Sequence, residues 1–421
     1  MHHFTYRDGV LHAEDVSLSA IAEAIGTPFY CYSSATLVRH YQVFADAFSN
    51  TDTLVCYAIK SNSNLAILRM LGQFGAGMDI VSEGELRRAR AAGIPAERVV
   101  FSGVGKTRAE IAHALEEGIF AFNVESEAEL HAISEVATAK GATARIAFRI
   151  NPDVDAQTHA KISTGRAENK FGEPWQEAPR LYALARDLPG IEAAGVHMHI
   201  GSQITRLEPF ANAFTLLAKL VGNLRAEGHN IEFVNVGGGL GIPYHGEGEL
   251  PPSPEDYAAL VREKLGGLGC RLVFEPGRMI SGNAGVLVAS VIYNKETNAK
   301  RFLIVDAAMN DLIRPTLYDA HQDILPVNEA LLAEPRIAQD VVGPVCESSD
   351  FLAKGRELPL MAPGELFAVM TAGAYGAVQA NDYNSRLRVP EVLVKGSEWA
   401  LIRPRQTYDE MLGAERFAPW S

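Results

Sequence analysis

The sequence predicts an α/β fold: a closed (β/α)8 TIM barrel with a second, mainly antiparallel β domain of sandwich or barrel-like form. Three observations predict it. Eight short apolar runs, at 54–59, 78–81, 99–101, 119–124, 144–150, 195–200, 233–236 and 271–274, alternate with segments of mostly helical spacing. Eight strand–helix units over about 230 residues match the size of a closed barrel, whereas an open doubly wound sheet normally carries fewer strands. Past Gly277 the rhythm changes to strand-like runs at 286–292, 301–305, 337–342, 366–371 and 391–402, separated by turns.

Taken in order, the opening segment is mixed in character. The run 29–33, FYCYS, reads as a strand entering the main domain, and 34–48 has helical apolar spacing. Helices are expected at 82–92, 107–117, 126–140, 209–227 and 253–265. Ser82 followed by Glu85, and Ser126 followed by Glu129, have the spacing of a capping box. The expected division is a barrel domain at 27–277 and a β domain at 278–421 completed by 1–26.

Bulk properties exclude several classes. The 421 residues, 47% of them apolar, allow two domains and a large core. A net charge of −13 argues against nucleic acid as a partner, because the phosphate backbone demands a basic footprint. No apolar run reaches membrane-spanning length and no secretory signal is visible, so no membrane partner and a cytoplasmic location are expected. The four cysteines form no CxxC pair; Cys31, Cys56 and Cys270 lie in apolar runs and read as core thiols.

Active sites of such barrels lie at the carboxyl ends of the strands. Those ends carry Lys60, Asp79, Ser102, Asn123, Asn151, His199, Gly237–Gly239 and Glu275. Lys60 follows an apolar run. A partly desolvated lysine loses its charge more easily and can form a Schiff base, although a strand-end lysine can also simply snorkel to water. His197 and His199 are two apart and share a strand face. They suit a metal, a flat aromatic ligand or plain packing, but no third ligand is clear and no metal is expected. Asn235–Gly241, NVGGGLG, brings bare backbone to the end of strand seven, fit for an anion or for a tight turn. It lacks GxGxxG spacing, which disfavours a dinucleotide. Glu275–Arg278, EPGR, offers a carboxylate for a protonated ring nitrogen and a guanidinium for a phosphate or carboxylate; a structural Glu–Arg pair is the competing idea. Together these describe a site for pyridoxal phosphate, with its aldehyde, phosphate, ring face and pyridinium each matched.

The same residues resemble the fold-type III pyridoxal phosphate decarboxylases of basic amino acids, over nearly the whole chain. The segments that carry the resemblance are YAIKSNSN (57–64), GAGMDIVSEGEL (75–86), NPDVDAQTHAKISTG (151–165), ENKFG (168–172), HMHIGSQI (197–204), NVGGGLG (235–241), EPGR (275–278), MNDLIRPTLY (309–318), GPVCESSD (343–350) and TAGAYG (371–376). Two small departures are Ala160–Lys161 and Ala307–Ala308. The resemblance implies that Lys60 takes the cofactor aldehyde, His199 stacks on its ring and Glu275 pairs with the pyridine nitrogen. It implies that Asp79, Gly277 and Arg278 also belong to the cofactor site, with Ser202, Gly238, Gly239 and Tyr375 on its phosphate side. Arg278, Arg314, Tyr318, Glu347 and Tyr375 would bind substrate, and Cys346 would handle a proton. Cys346 and Glu347 would come from the second subunit of a homodimer with shared sites. The implied reaction is decarboxylation of meso-2,6-diaminopimelate at its D centre to L-lysine. A related member acting on ornithine, arginine or carboxynorspermidine is the alternative. From the residues alone, Arg314 and Tyr318 are four apart on a short helix or turn. Arg314 could equally serve a surface ion pair, Cys346 could be a half-buried thiol, and Tyr375 could be a loop tyrosine.

Overall fold

The structure, a computed structural model, describes residues 2–153, 170–244 and 250–420. Segment 154–169, including Ala160 and Lys161, lies outside them. The chain divides into two compact units, Val38–Pro243 with Glu249–Ile280, and Met1–Leu37 with Ser281–Ser421 and the stretch that starts at Tyr244.

In the first unit eight parallel strands close on themselves, as the alternating pattern predicts. They are β1 (Thr53–Ala58), β2 (Gly77–Ile80), β3 (Val99–Phe101), β4 (Ala121–Val124), β5 (Ala144–Asn151), β6 (Ile191–His197), β7 (Phe233–Asn235) and β8 (Arg271–Phe274). Each pairs with the next, and β8 returns to β1 through Val273 opposite Leu54. The expected helices are present, for example Glu83–Ala91, Glu127–Lys140 and Pro254–Leu265. Their caps differ in detail. Ser82 and Ser126 do accept from the backbone N–H of Glu85 and Glu129. The two glutamates, however, reach one residue further back, to the N–H of Val81 and Glu125. The reciprocal box forms instead at Thr107–Glu110 and Ser253–Asp256.

The barrel interior is layered by the two-residue period of its strands. Leu54, Cys56, Val100, Ala121, Ala147, Ala194, Phe233 and Val273 form a dry apolar layer. Two residues beyond several of them, on the same face, come Ser102, Asn123, Arg149, Asn235 and Glu275. Gly195 lets β6 pass the Phe233 ring, which a Cβ there would meet at 2.3 Å.

The second unit is built on a nine-stranded, largely antiparallel sheet. Phe29–Ser33 is a strand that precedes the barrel in the chain, through the helix Ser34–Asp46, but it belongs to this sheet, where it pairs with Gly285–Glu296 and Glu391–Lys395. The run 391–402 is two strands, because Gly396, at φ 59°, turns the chain back between Glu391–Lys395 and Glu398–Arg403. Phe351–Pro359 is a further strand that the sequence pattern did not suggest; glycine, lysine, arginine and glutamate interrupt its alternation. One core packs Phe4, Leu11, Leu18 and Ile21 of the N-terminal segment against Phe29, Val286, Val288, Ala368, Val392 and Val394. Cys31 and Cys56 are core thiols as expected, whereas Cys270 is only half-buried.

Asp311 is buried in this unit, and its carboxylate accepts from the N–H of Ala308. Burial pushes its pKa up to about 7; Asp306 and Asp350 add to the rise, while the Ala308 bond and Arg386 oppose it. The folded state therefore keeps a proton that the unfolded chain loses, and stability falls as pH rises from about 4 to about 7. Asp311→Asn cannot lose that proton. Its stability relative to the parent is expected to improve by about 3–4 kcal/mol across this window. Urea unfolding of both proteins at pH 4 and pH 8 reads the difference, and a pH-independent gap would refute it.

Candidate active site

Lys60 sits in a single turn, Ile59–Ser61, directly after β1. Its Nζ donates to Asp79 Oδ2 at 2.9 Å. The lysine side chain is 39% exposed, while Asp79 is fully buried at the end of β2. The amine is thus tethered yet reachable, and less stripped of water than a buried strand end suggests. Burial, with Glu275 adding to it, pushes the Asp79 carboxyl up, and Lys60 opposes both.

Glu275 follows β8 and is buried. Its Oε1 accepts from Asn123 Nδ2 at 2.9 Å and Asn235 Nδ2 at 2.6 Å. Its Oε2 lies 3.4 Å from His197 Nε2. Burial opposes ionisation, but His197, Lys60 and the Asn235 bond outweigh it and hold the carboxyl well below the usual carboxylate range. His199 lies just past β6, half-buried at the mouth. Burial first, then the charges of Arg149 and Lys60, holds its imidazole neutral. The Gly238 N–H donates to His199 Nδ1 at 3.2 Å, which leaves the ring proton on Nε2.

The three glycines after β7 are required by crowding. A Cβ on Gly237 would lie 2.8 Å from His199 Nδ1, on Gly238 2.3 Å from the Glu275 carbonyl oxygen, and on Gly239 2.6 Å from that of Gly201. Gly277 is similarly pressed, with Ala58 and Ser61 at 3.1 Å. Gln203 clasps this loop: it donates to Ile242 O at 2.6 Å and accepts from the Ile242 N–H at 3.2 Å. Ser202 Oγ accepts from Arg278 Nη2 at 3.0 Å. Hence Lys60 with Asp79, His199 with Gly238, and Ser202 with Arg278 are brought together.

Sequence reasoning missed the buried ions that brace this rim. Lys106 Nζ donates to Glu129 at 2.7 Å and to the carbonyls of Gly103 and Asn123 at 2.8 Å each. Arg149 donates to Glu125 at 2.9 Å. Lys106 lies in a loop and meets Glu129 of the helix Glu127–Lys140, one strand–helix unit further on, so no local pattern announces the pair. Among the described residues no three His, Cys, Asp or Glu side chains gather to hold a metal.

The remaining predicted residues lie in the second unit. Arg314 and Tyr318 open and close one short helix, Arg314–Tyr318. Arg314 is buried, and its guanidinium lies 4.6 Å from the centre of the Tyr244 ring. Cys346 and Glu347 are exposed. The Cys346 N–H donates to Asn384 Oδ1 at 2.8 Å, and hydrogen bonds from Ser349 and Tyr383 hold the Glu347 carboxyl below its ordinary value. Tyr375 adopts φ 57°, a conformation that bulky residues seldom take.

At the barrel mouth an accessible amine, a buried carboxylate kept ionised, a neutral imidazole and crowded bare backbone meet the needs of one ligand class. Those are the kinds of group that the aldehyde, pyridinium nitrogen, flat ring and phosphate of pyridoxal phosphate require, and the fold with this set fits the class of barrel-type pyridoxal phosphate enzymes. Comparison with known proteins agrees. Residues 34–282 match the family described as pyridoxal-dependent decarboxylase, pyridoxal binding domain. The diaminopimelate decarboxylase of Pseudomonas aeruginosa is 51% identical over 416 residues, 99% of each chain. The crystal structure of diaminopimelate decarboxylase from Helicobacter pylori complexed with L-lysine is 41% identical, with a TM-score of 0.90 over 94% of this chain and 98% of that one. That from M. jannaschii in co-complex with L-lysine is 36% identical, with a TM-score of 0.94 over the whole of both chains. This chain belongs to the diaminopimelate decarboxylase family.

Proposed function

We propose that the protein decarboxylates meso-2,6-diaminopimelate at its D centre, giving L-lysine and CO2 as the last step of lysine formation. The observation that carries this is the intact barrel-mouth set on a chain alike, end to end, to diaminopimelate decarboxylases, two of whose structures hold L-lysine. Bound pyridoxal phosphate supplies an electron sink, because its protonated ring takes up the electron pair left when CO2 departs. Lys60 would hold the cofactor at its aldehyde, and Asp79 would anchor the amine when the substrate displaces it. Glu275, kept ionised, would hold the proton on the ring nitrogen. His199 would offer its neutral face to the ring. Ser202, Gly238, Gly239 and Tyr375 would hold the phosphate side, and Gly277 and Arg278 would complete the cofactor site.

For the substrate, Arg278, Arg314, Tyr318 and Tyr375 would bind carboxylates, and Glu347 the distal ammonium. Cys346 would return the proton to Cα. Cys346 and Glu347 would act in the partner's site of a cytoplasmic homodimer. Among the described residues no helix is long and apolar enough to cross a membrane.

The test offers diaminopimelate and ornithine separately to the cofactor-loaded enzyme and measures CO2 and product. Lysine from diaminopimelate is expected, and a preference for ornithine would defeat the substrate assignment. Arg314→Ala is expected to lower kcat/KM for diaminopimelate by about 100- to 1000-fold, through loss of a charge-assisted pair. Most of that loss should appear in KM. Unchanged kinetics would remove Arg314 from the substrate site.

A further inference from the structure

His197 has no assigned role, yet it occupies a costly position. On adjacent strands it lies in register with Arg149 of β5 and Asn235 of β7, so all three project into the barrel. Its side chain is 1% exposed. Neither ring nitrogen has a hydrogen bond at normal length. A buried polar group left in that state is destabilising, and an apolar residue would pack there more cheaply. What it faces gives the reason. Both asparagine amides use Oε1 of Glu275. Oε2 lies toward His197 Nε2, at a distance slightly too long for a full bond. Nδ1 meets no acceptor, so the useful ring proton is the one on Nε2.

We propose that His197 is a positioning residue: in the loaded enzyme its Nε2–H donates to Glu275 Oε2, fixing the plane of that carboxylate and keeping it ionised for the ring nitrogen of the cofactor. This rests on the reading of Glu275 as the ring-nitrogen partner. Three donors, Asn123, Asn235 and His197, then share the two oxygens, and none of them carries a formal negative charge that would compete with the carboxylate. His199, two residues on, keeps its separate place at the ring face.

The test loads pyridoxal phosphate labelled with 15N in its ring into the parent enzyme and the His197→Phe, His197→Gln and Glu275→Gln variants. The ring-nitrogen resonance is expected to move toward the unprotonated range in Glu275→Gln, and in the same direction by less in His197→Phe. His197→Gln, which keeps a donor near the Nε2 position, should restore it. In parallel His197→Phe should lower kcat by about 10- to 100-fold with KM within about threefold. If His197→Phe leaves resonance and kcat unchanged while Glu275→Gln alters both, His197 is a packing group and the proposal fails. If Glu275→Gln leaves the resonance unmoved, the reading of Glu275 fails first. Should His197→Phe not fold, the 15N-histidine spectrum of the parent decides: a proton on Nε2 of His197 supports the proposal, and one on Nδ1 alone overturns it.

Discussion

Lys60→Ala is expected to lower turnover by at least about 10⁴-fold, the scale of removing a covalent nucleophile. Lys106, which follows the third barrel strand, is buried and spent on Glu129 and two carbonyls. The loss should therefore not be made good by Lys106. The substitution also leaves Asp79 buried without its cation. Since burial already pushes that carboxyl up, it should take a proton and go neutral, so the fold should survive. Two measurements separate the readings. Borohydride reduction of the parent should fix cofactor mass on the peptide containing Lys60, and the variant should hold none covalently. A variant that kept normal turnover would end the case for covalent catalysis.

Glu275→Gln is expected to lower kcat by about 10²- to 10³-fold with little change in KM, since it removes a charge and preserves shape. The glutamine oxygen can still accept from Asn123 and Asn235, so packing is kept and the effect is electrostatic. The low carboxyl pKa of Glu275 is sustained in a buried place by His197, Lys60 and the amides of Asn235 and Asn123, against the penalty of burial. That arrangement suits the holding of a positive or proton-bearing group. Steady-state rates with saturating cofactor check it. A kcat within threefold of the parent would mean that the ring needs no anionic partner.

The barrel itself was legible because its signals are local. Eight apolar runs with glycine or polar ends mark eight strands, and serine or threonine followed by an acid marks the helix starts. The mouth followed from one rule, that strand ends in such barrels converge, and Lys60, Asp79, His199 and Glu275 were reachable that way. The crowding at Gly238 was legible only as a run of glycines; that its Cβ would strike the carbonyl of Glu275 needed the neighbouring strand in place. The second unit was harder to read. Gly396 hides a hairpin inside one apolar stretch, and Phe351–Pro359 carries charged residues on an exposed stretch that mask its alternation.

The order of strands and helices, the two-residue layering inside the barrel and the residue types at its rim were determined by the sequence alone, because each depends on neighbours a few positions away. Tertiary structure decided the partners: that Asn123 and Asn235 converge on one oxygen of Glu275, that His197 faces the other, that Lys106 braces the end of β4, and that Phe29–Ser33 pairs beside residues more than 250 positions later. These depend on which strands become neighbours when a sheet closes or a chain end returns. Side-chain periodicity tells a strand which way to face, but it carries no record of the strand it will lie beside.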